Sequence, residues 1–279
     1  MKLYNTRQGI IVEVESQLFK LKTKNWDKLI NRNNLFQTLK KQLETLETDE
    51  ILRGYIQTEL LPPIKGQEVW AAGVTYKRSQ VARMEESQDA SDFYAKVYVA
   101  DRPEIFFKAT ASRTVGHGDT VLIRRDSKWN VPEPELTLFA TSKGKIVGYT
   151  CGNDMSSRDI EGENPLYLPQ AKSYDASAAL GPCLLVLEKP IDPKTEIQLV
   201  ILRENKTVYE GKIAINSMKR SHKELIQYLF RETSFPSGVF LMTGTGLVPS
   251  NDFTLAVGDE VHISIDGIGT LVNTVGQKK

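Results

Sequence analysis

The chain has 279 residues, and its 36 Lys plus Arg nearly cancel 35 Asp plus Glu, leaving a formal charge of +1. Such a balance excludes the basic patch of a nucleic-acid binder, an acidic tail and a polybasic membrane-surface helix. An apolar fraction of 40 % and a charged fraction of 25 % are those of an ordinary globular protein, long enough to build a core without disulfides.

The first stretch reads as two or three short strands, in Leu3-Tyr4, Ile10-Ile11-Val12 and Leu18-Phe19, punctuated by Gly9. Leu35-Phe36, Leu39, Leu43 and Leu46 recur at near-helical spacing and predict a helix. Leu60-Leu61-Pro62-Pro63 predicts a linker, because proline continues neither ladder nor helix. These signals set a small amino-terminal α+β domain over 1–65 apart from a second domain over 66–279. There, Val69 to Val74 predicts a buried strand, and the charged run Arg78 to Ala100 predicts one or two exposed helices ending before Pro103. From Glu104 onward strands dominate: Ile105 to Phe107, Val121 to Ile123, Leu136 to Phe139, Ile146 to Thr150, Leu184 to Leu187, Ile197 to Leu202 and Val261 to Ile265. One helix, Ser221 to Phe230, interrupts them. The fold class expected is a β-dominated α+β roll or sandwich.

Cys151 and Cys183 are too few for a disulfide scaffold or a thiolate metal cluster, and both are expected as buried free thiols. Met1 to Arg7 lacks an apolar signal core, and no run approaches the ~18 apolar residues of a membrane span. A soluble, cytoplasmic protein is expected.

The informative stretch is Val131-Pro132-Glu133-Pro134-Glu135-Leu136-Thr137-Leu138-Phe139. In an extended chain Glu133 and Glu135 share one face, while Leu136 and Leu138 take the other. Taking Lys143-Gly144 as a two-residue hairpin loop places Glu133 opposite Asp154 and Glu135 opposite Gly152. Opposed residues share a face, so Asp154 joins the two glutamates, with Gly152, Thr150 and Gly148 leaving that face small and open. On the back, Leu136, Leu138 and Ala140 meet Cys151, Tyr149 and Val147; a one-residue slip would mix the two faces. Three carboxylates without histidine or cysteine are hard oxygen ligands, suited to Mg²⁺ or Mn²⁺, with Ca²⁺ also compatible. The alternative is a solvated Glu-x-Glu edge strand.

Several motifs carry a resemblance. They are Ile105-Phe106-Phe107-Lys108 with Val115-Gly116-His117-Gly118-Asp119, and Glu133-Pro134-Glu135 with Gly152-Asn153-Asp154-Met155-Ser156-Ser157-Arg158-Asp159. Gln170-Ala171-Lys172-Ser173-Tyr174-Asp175 and Thr243-Gly244-Thr245-Gly246 follow in the same order. Together the chain resembles the fumarylacetoacetate hydrolase superfamily from about Val69 to Ile265. The longer stretches Ala72 to Ser79, Arg102 to Lys108, Trp129 to Glu135 and Arg158 to Lys172 resemble the branch that dehydrates 2-keto-3-deoxy sugar acids such as 2-keto-3-deoxyarabinonate. The resemblance implies a β-roll catalytic domain, a homodimer or homotetramer, and a small 2-keto acid substrate. It puts Glu133, Glu135 and Asp154 at the positions of the family's metal ligands.

Hydrolases of this superfamily activate water with a His-Glu pair on a lid. Here Lys77 to Arg102 contains no histidine, and His117, His222 and His262 lie in a turn, a helix start and a strand. Glu85 or Glu86 is the substitute base that carbon–carbon hydrolysis would need; decarboxylation of oxaloacetate is a further chemistry of such a site. Dehydration needs a Lewis acid on the 2-keto acid end, one group to take the C3 proton and one to help the C4 hydroxyl leave. The resemblance assigns these two tasks to Lys172 and Glu104, in an order left open. Candidate substrate contacts are Tyr76, Arg78 and Ser79 at a strand-to-helix junction, Lys108, Trp129 and Thr245. Lys108 equally serves to balance the carboxylates, and Trp129 equally serves as core.

Overall fold

The computed structural model describes residues 1–77 and 96–278. The chain opens with strands β1 (Lys2–Thr6), β2 (Gly9–Val14) and β3 (Gln17–Lys20) and helices α1 (Trp26–Ile30), α2 (Leu35–Leu43) and α3 (Leu52–Thr58). Strands β4 (Leu60–Leu61), β5 (Glu68–Gly73), β6 (Glu104–Thr110), β7 (Thr114–Val115), β8 (Thr120–Ile123) and β9 (Asn130–Val131) follow. The hairpin β10 (Pro134–Ala140) and β11 (Ile146–Asp154) leads through β12 (Ser156–Ser157) to helices α4 (Arg158–Glu163) and α5 (Leu168–Lys172). The remainder is β13 (Ala178–Leu185), β14 (Glu196–Arg203), β15 (Lys206–Ala214), α6 (His222–Leu229), β16 (Val239–Met242), β17 (Glu260–Ile265) and β18 (Gly269–Gln277).

These strands make a large sheet in the order β3-β2-β1-β13-β11-β10-β16-β5-β6, and a smaller one in the order β15-β14-β17-β18-β8. The alternation of β10 and β11 explains the layering. Leu136, Leu138 and Cys151 point into an apolar cluster shared with Leu199 and Ile201 of β14, Ile263 of β17 and Leu271 of β18. Phe139, in contrast, joins Leu180, Leu184, Phe240 and Met242 on the opposite face, where Trp26, Leu29 and Ile30 of α1 and Leu35 and Leu39 of α2 cover the sheet. The result is a β-sandwich with an outer helical layer, which matches the β-dominated fold expected from the sequence. Strand β1 pairs with β13, so the amino-terminal strands extend the same sheet that carries the hairpin.

Four local expectations are corrected. The β10–β11 turn is not a two-residue loop: Gly144, with φ +70°, donates to Thr141, and Thr141 donates to Lys145, leaving three residues between the paired ends. The register shifts beside it, so Ala140 pairs with Ile146 rather than Val147, and Val147 bulges to join the Phe139 face. The face beside the carboxylates is filled rather than open, since a Cβ on Gly148 would meet Leu184 at 2.7 Å and one on Gly152 would meet Thr137 Oγ1 at 2.2 Å. Finally, Leu60-Leu61 is a strand paired with β1, because only the prolines that follow lack a ladder donor. The helices expected over Arg78 to Ala100 lie mostly outside the described residues; 96–99 is helical.

Candidate metal centre

Past the bulge the hairpin register is the one the alternation demanded. Glu135 pairs with Gly152, and the Glu133 and Asp154 backbones exchange hydrogen bonds of 3.2 and 3.0 Å. The side chains of Glu133, Glu135 and Asp154 therefore emerge together, each buried, with ligand oxygens all within 4.8 Å of one another. Such a cluster repels itself unless positive charge is brought in.

The rest of the fold delivers that charge. Lys172, the last residue of α5, places Nζ 2.5 Å from Glu133 Oε2 and 3.1 Å from Asp154 Oδ2. Lys108 comes from β6 and sits 2.6 Å from Asp154 Oδ1, with further bonds to the carbonyls of Met155 and Lys172. Arg158, which opens α4, donates from Nη2 to Glu133 Oε1 at 2.8 Å. Glu135 accepts the backbone N–H of Gly244 at 2.5 Å. Burial, then the charges of Asp154 and Glu133, push the Glu135 carboxyl well above its usual range. Burial also opposes ionisation of Asp154, but Lys108 and Lys172 outweigh it and hold that carboxyl low. Burial lowers Lys108 to about 8 against the pull of Asp154.

The three carboxylates, Arg158, Lys172, Phe106 and the Gly244-Thr245 loop line a cavity of about 20 Å³, room for a water-sized species. A roomier cleft of about 530 Å³ adjoins Tyr174, lined by Arg113, Arg124 and Arg125. Its acids are already engaged, Asp126 by Arg124 and Asp175 by Arg113 and Lys278, so we place the chemistry in the smaller cavity. The donor set there, hard carboxylate oxygens only, fits a magnesium-like cation.

Among the other expected residues, Glu104 and Phe106 are two apart on β6 and share a face, and Lys108 sits at a bulge in the pairing with β5. Glu104 pairs with Gly73 and lies over it: a Cβ there would stand 2.1 Å from Oε2. Thr245 lines the cavity and bonds its own loop at Leu247. Tyr76 is buried, its phenol pushed up by burial and then by the Glu135 charge, which places it beside the cluster. Lys108 is fully buried beneath Asp154, in the charge-balancing position. Trp129 accepts the Arg158 N–H on its carbonyl, and its side chain is outside the cavity lining. Arg78 and Ser79 lie outside the described residues, as do Glu85 and Glu86. Sequence reasoning gave Arg158 and the Gly244 amide no role. Neither is marked by a local pattern: Asp154 to Ser157 is strand and its connection, and Arg158 only opens the helix that follows.

None of the three histidines lines the cavity. His117 accepts the Val272 N–H, His262 pairs with Glu260, and His222 packs near Tyr149 at the start of α6.

The model of the fumarylacetoacetate (FAA) hydrolase C-terminal family matches residues 68–276. The chain belongs to this family. A probable 2-keto-3-deoxyxylonate dehydratase of Haloferax volcanii is 48 % identical over 232 residues, 83 % of this chain and 80 % of that one. The 2-dehydro-3-deoxy-D-arabinonate dehydratase of Saccharolobus solfataricus is 44 % identical over 221 residues, 78 % of this chain and 74 % of its own. Among solved structures of the family, 2-keto-3-deoxy-D-arabinonate dehydratase complexed with magnesium and 2,5-dioxopentanoate aligns over 100 % of both chains, with TM-score 0.86 and 37 % identity.

Proposed function

We propose that this chain is a magnesium-dependent dehydratase of a 2-keto-3-deoxy sugar acid. The observation that carries the reading is the position of Lys172. Its amine stands inside a histidine-free carboxylate cluster, so a group able to carry a proton lies directly beside the proposed cation ligands. Two relatives above 40 % identity, named as dehydratases of such acids, support it.

Glu133, Glu135 and Asp154 would hold the cation, which supplies Lewis-acid stabilisation of negative charge at the 2-keto acid end. Arg158 orients Glu133, and the Gly244 amide orients Glu135. Lys172 and Glu104 divide the proton work, one taking the C3 proton and the other assisting departure of the C4 hydroxyl. Phe106 lies beside Lys172, 5.9 Å from Nζ to ring centroid, and walls one side of that amine. Tyr76, Arg78, Ser79 and Thr245 would contact the substrate. Lys108 reaches the substrate only through Asp154. Trp129 would support the Arg158 end of the site.

The histidine placement is why dehydration is preferred over the second chemistry, carbon–carbon hydrolysis. The test is to incubate purified protein with racemic 2-keto-3-deoxypentonate and Mg²⁺. Formation of a semialdehyde is expected; no loss of the C4 hydroxyl, with cleavage of an acylpyruvate instead, refutes the reading.

We also propose that residues 1–65 form an appended unit, supported by the family match starting at residue 68. A homodimer or homotetramer is part of this reading and follows from the family likeness. So is a cytoplasmic setting, supported by two buried free cysteines, Cys151 and Cys183. No helix among the described residues is long and apolar enough to cross a membrane.

A further inference from the structure

One peptide group near the carboxylates is bonded at both ends. Its carbonyl, that of Thr243, accepts the Thr75 hydroxyl at 2.7 Å. Its N–H, that of Gly244, donates to Glu135 Oε2 at 2.5 Å. The residue that supplies its carbonyl is clamped as well, because both the N–H and the hydroxyl of Thr243 donate to the carbonyl of Leu136, at 3.1 and 2.8 Å. Leu136 is the residue after Glu135, so the clamp ties this loop to the strand that carries the carboxylate. Thr75, Thr243 and Glu135 are all buried.

A hydroxyl donating to an amide carbonyl polarises the amide and makes its N–H a better donor. Here the two bonds run in series, from Thr75 through the Thr243–Gly244 peptide to the carboxylate. The approach needs glycine: Gly244 has φ +93°, and a Cβ there would stand 2.0 Å from Thr75 Oγ1 and 2.8 Å from the Ala72 carbonyl. Glu135 differs from its two neighbours in this support. Glu133 and Asp154 are braced by charged side chains, whereas Glu135 leans on a neutral backbone amide.

We infer that Thr75 is a positioning residue for the metal centre, acting on Glu135 through the Thr243–Gly244 peptide. This rests on the proposed role of Glu135 as a cation ligand. Thr75 touches neither cation nor substrate; it sets the direction and donor strength of the amide that aims the carboxylate.

The experiment measures Mg²⁺ binding itself by calorimetry, without substrate, beside melting temperature in EDTA. Thr75→Val removes the hydroxyl at nearly constant volume, and Thr75→Ser restores it. Thr150→Val is the matched control, since Thr150 lies on the same hairpin, is also fully buried and donates to a backbone carbonyl, that of Gly181, rather than to the peptide that bonds Glu135. Thr75→Val is expected to weaken Mg²⁺ binding about tenfold. Thr75→Ser should stay within about threefold of native, and Thr150→Val should lose melting temperature but keep native affinity. Thr75→Ala, smaller than the native residue, is a second variant with the same expected loss. Native affinity in both Thr75→Val and Thr75→Ala overturns the inference, and so does an equal loss in Thr150→Val. A native chain that binds no Mg²⁺ overturns the cation reading as well, which separates the two failures.

Discussion

Replacing Glu135 by Gln tests the electrostatics of the cluster directly. The amide keeps an oxygen for the Gly244 N–H but removes the charge. Ligand oxygens of the three acids lie within 4.8 Å of one another, so at an effective dielectric constant of ~20 each like-charged pair repels by about 3.5 kcal/mol. Losing the Glu135 charge relieves two such repulsions, and the attraction to Lys172 lost with it offsets roughly one. Glu135→Gln is therefore expected to be more stable than the native chain by about 3 kcal/mol when no divalent cation is present. The size of the difference depends on pH. Burial raises the folded Glu135 above its ordinary 4.5, so below that value both folded and unfolded states hold the proton and the two chains are equally stable. The gap opens as pH rises through the interval above it. Mg²⁺ then acts the other way: at about 1,000 times its Kd it returns about 4 kcal/mol to the native chain and little to the variant. The assay is urea unfolding at pH 4 and pH 8, in EDTA and in Mg²⁺. A variant less stable than native in EDTA at pH 8, or stabilised by Mg²⁺ as much as native, refutes the reasoning.

Lys172→Met should abolish turnover, by a factor of ~100 or more, while leaving Mg²⁺ affinity equal or tighter, because the ammonium no longer occupies Glu133 and Asp154; weakened Mg²⁺ binding by calorimetry counts against this. Glu104→Gln should cut kcat by ~100-fold or more with Mg²⁺ binding unchanged, and a variant of native kcat removes Glu104 from the mechanism. Lys108 gives a second pH signature. Its folded value of about 8 lies below its ordinary 10.5, so the unfolded chain holds the proton longer. The penalty is complete below pH 8 and fades as pH rises, so the metal-free protein should gain up to about 3 kcal/mol between pH 8 and 10.5. Lys108→Met should lack that rise, and equal urea-unfolding slopes with pH in the two chains would contradict it.

The acidic triad was legible because it is written within one hairpin. Leu136 and Leu138 alternate with polar positions as Cys151 and Tyr149 do, and one register satisfies both strands. The misread turn did no harm, since the bulge at Val147 absorbs the one-residue difference before the carboxylates are reached. Glycine signals misled for another reason: a missing Cβ reads as open space in a sequence, but Leu184 and Thr137 fill the space beside Gly148 and Gly152. Strands β16 and β18 were not foreseen, although β16 lies beside β10 and β18 between β17 and β8 in the smaller sheet. Val239 to Met242 is a short apolar run with no alternation to mark it, buried on both faces.

By itself the sequence determined the class of fold, the pairing of the hairpin and the meeting of Glu133, Glu135 and Asp154, because strand alternation is a local steric rule that two neighbouring strands obey together. Only the tertiary structure decided what surrounds those acids. Lys172 reaches Glu133 across 39 residues and Gly244 reaches Glu135 across 109, and such meetings depend on which strands lie side by side. Sheet order is set by burying the apolar faces of the whole chain, so no local pattern records that Arg158, Lys108 and Thr75 end beside the same carboxylates.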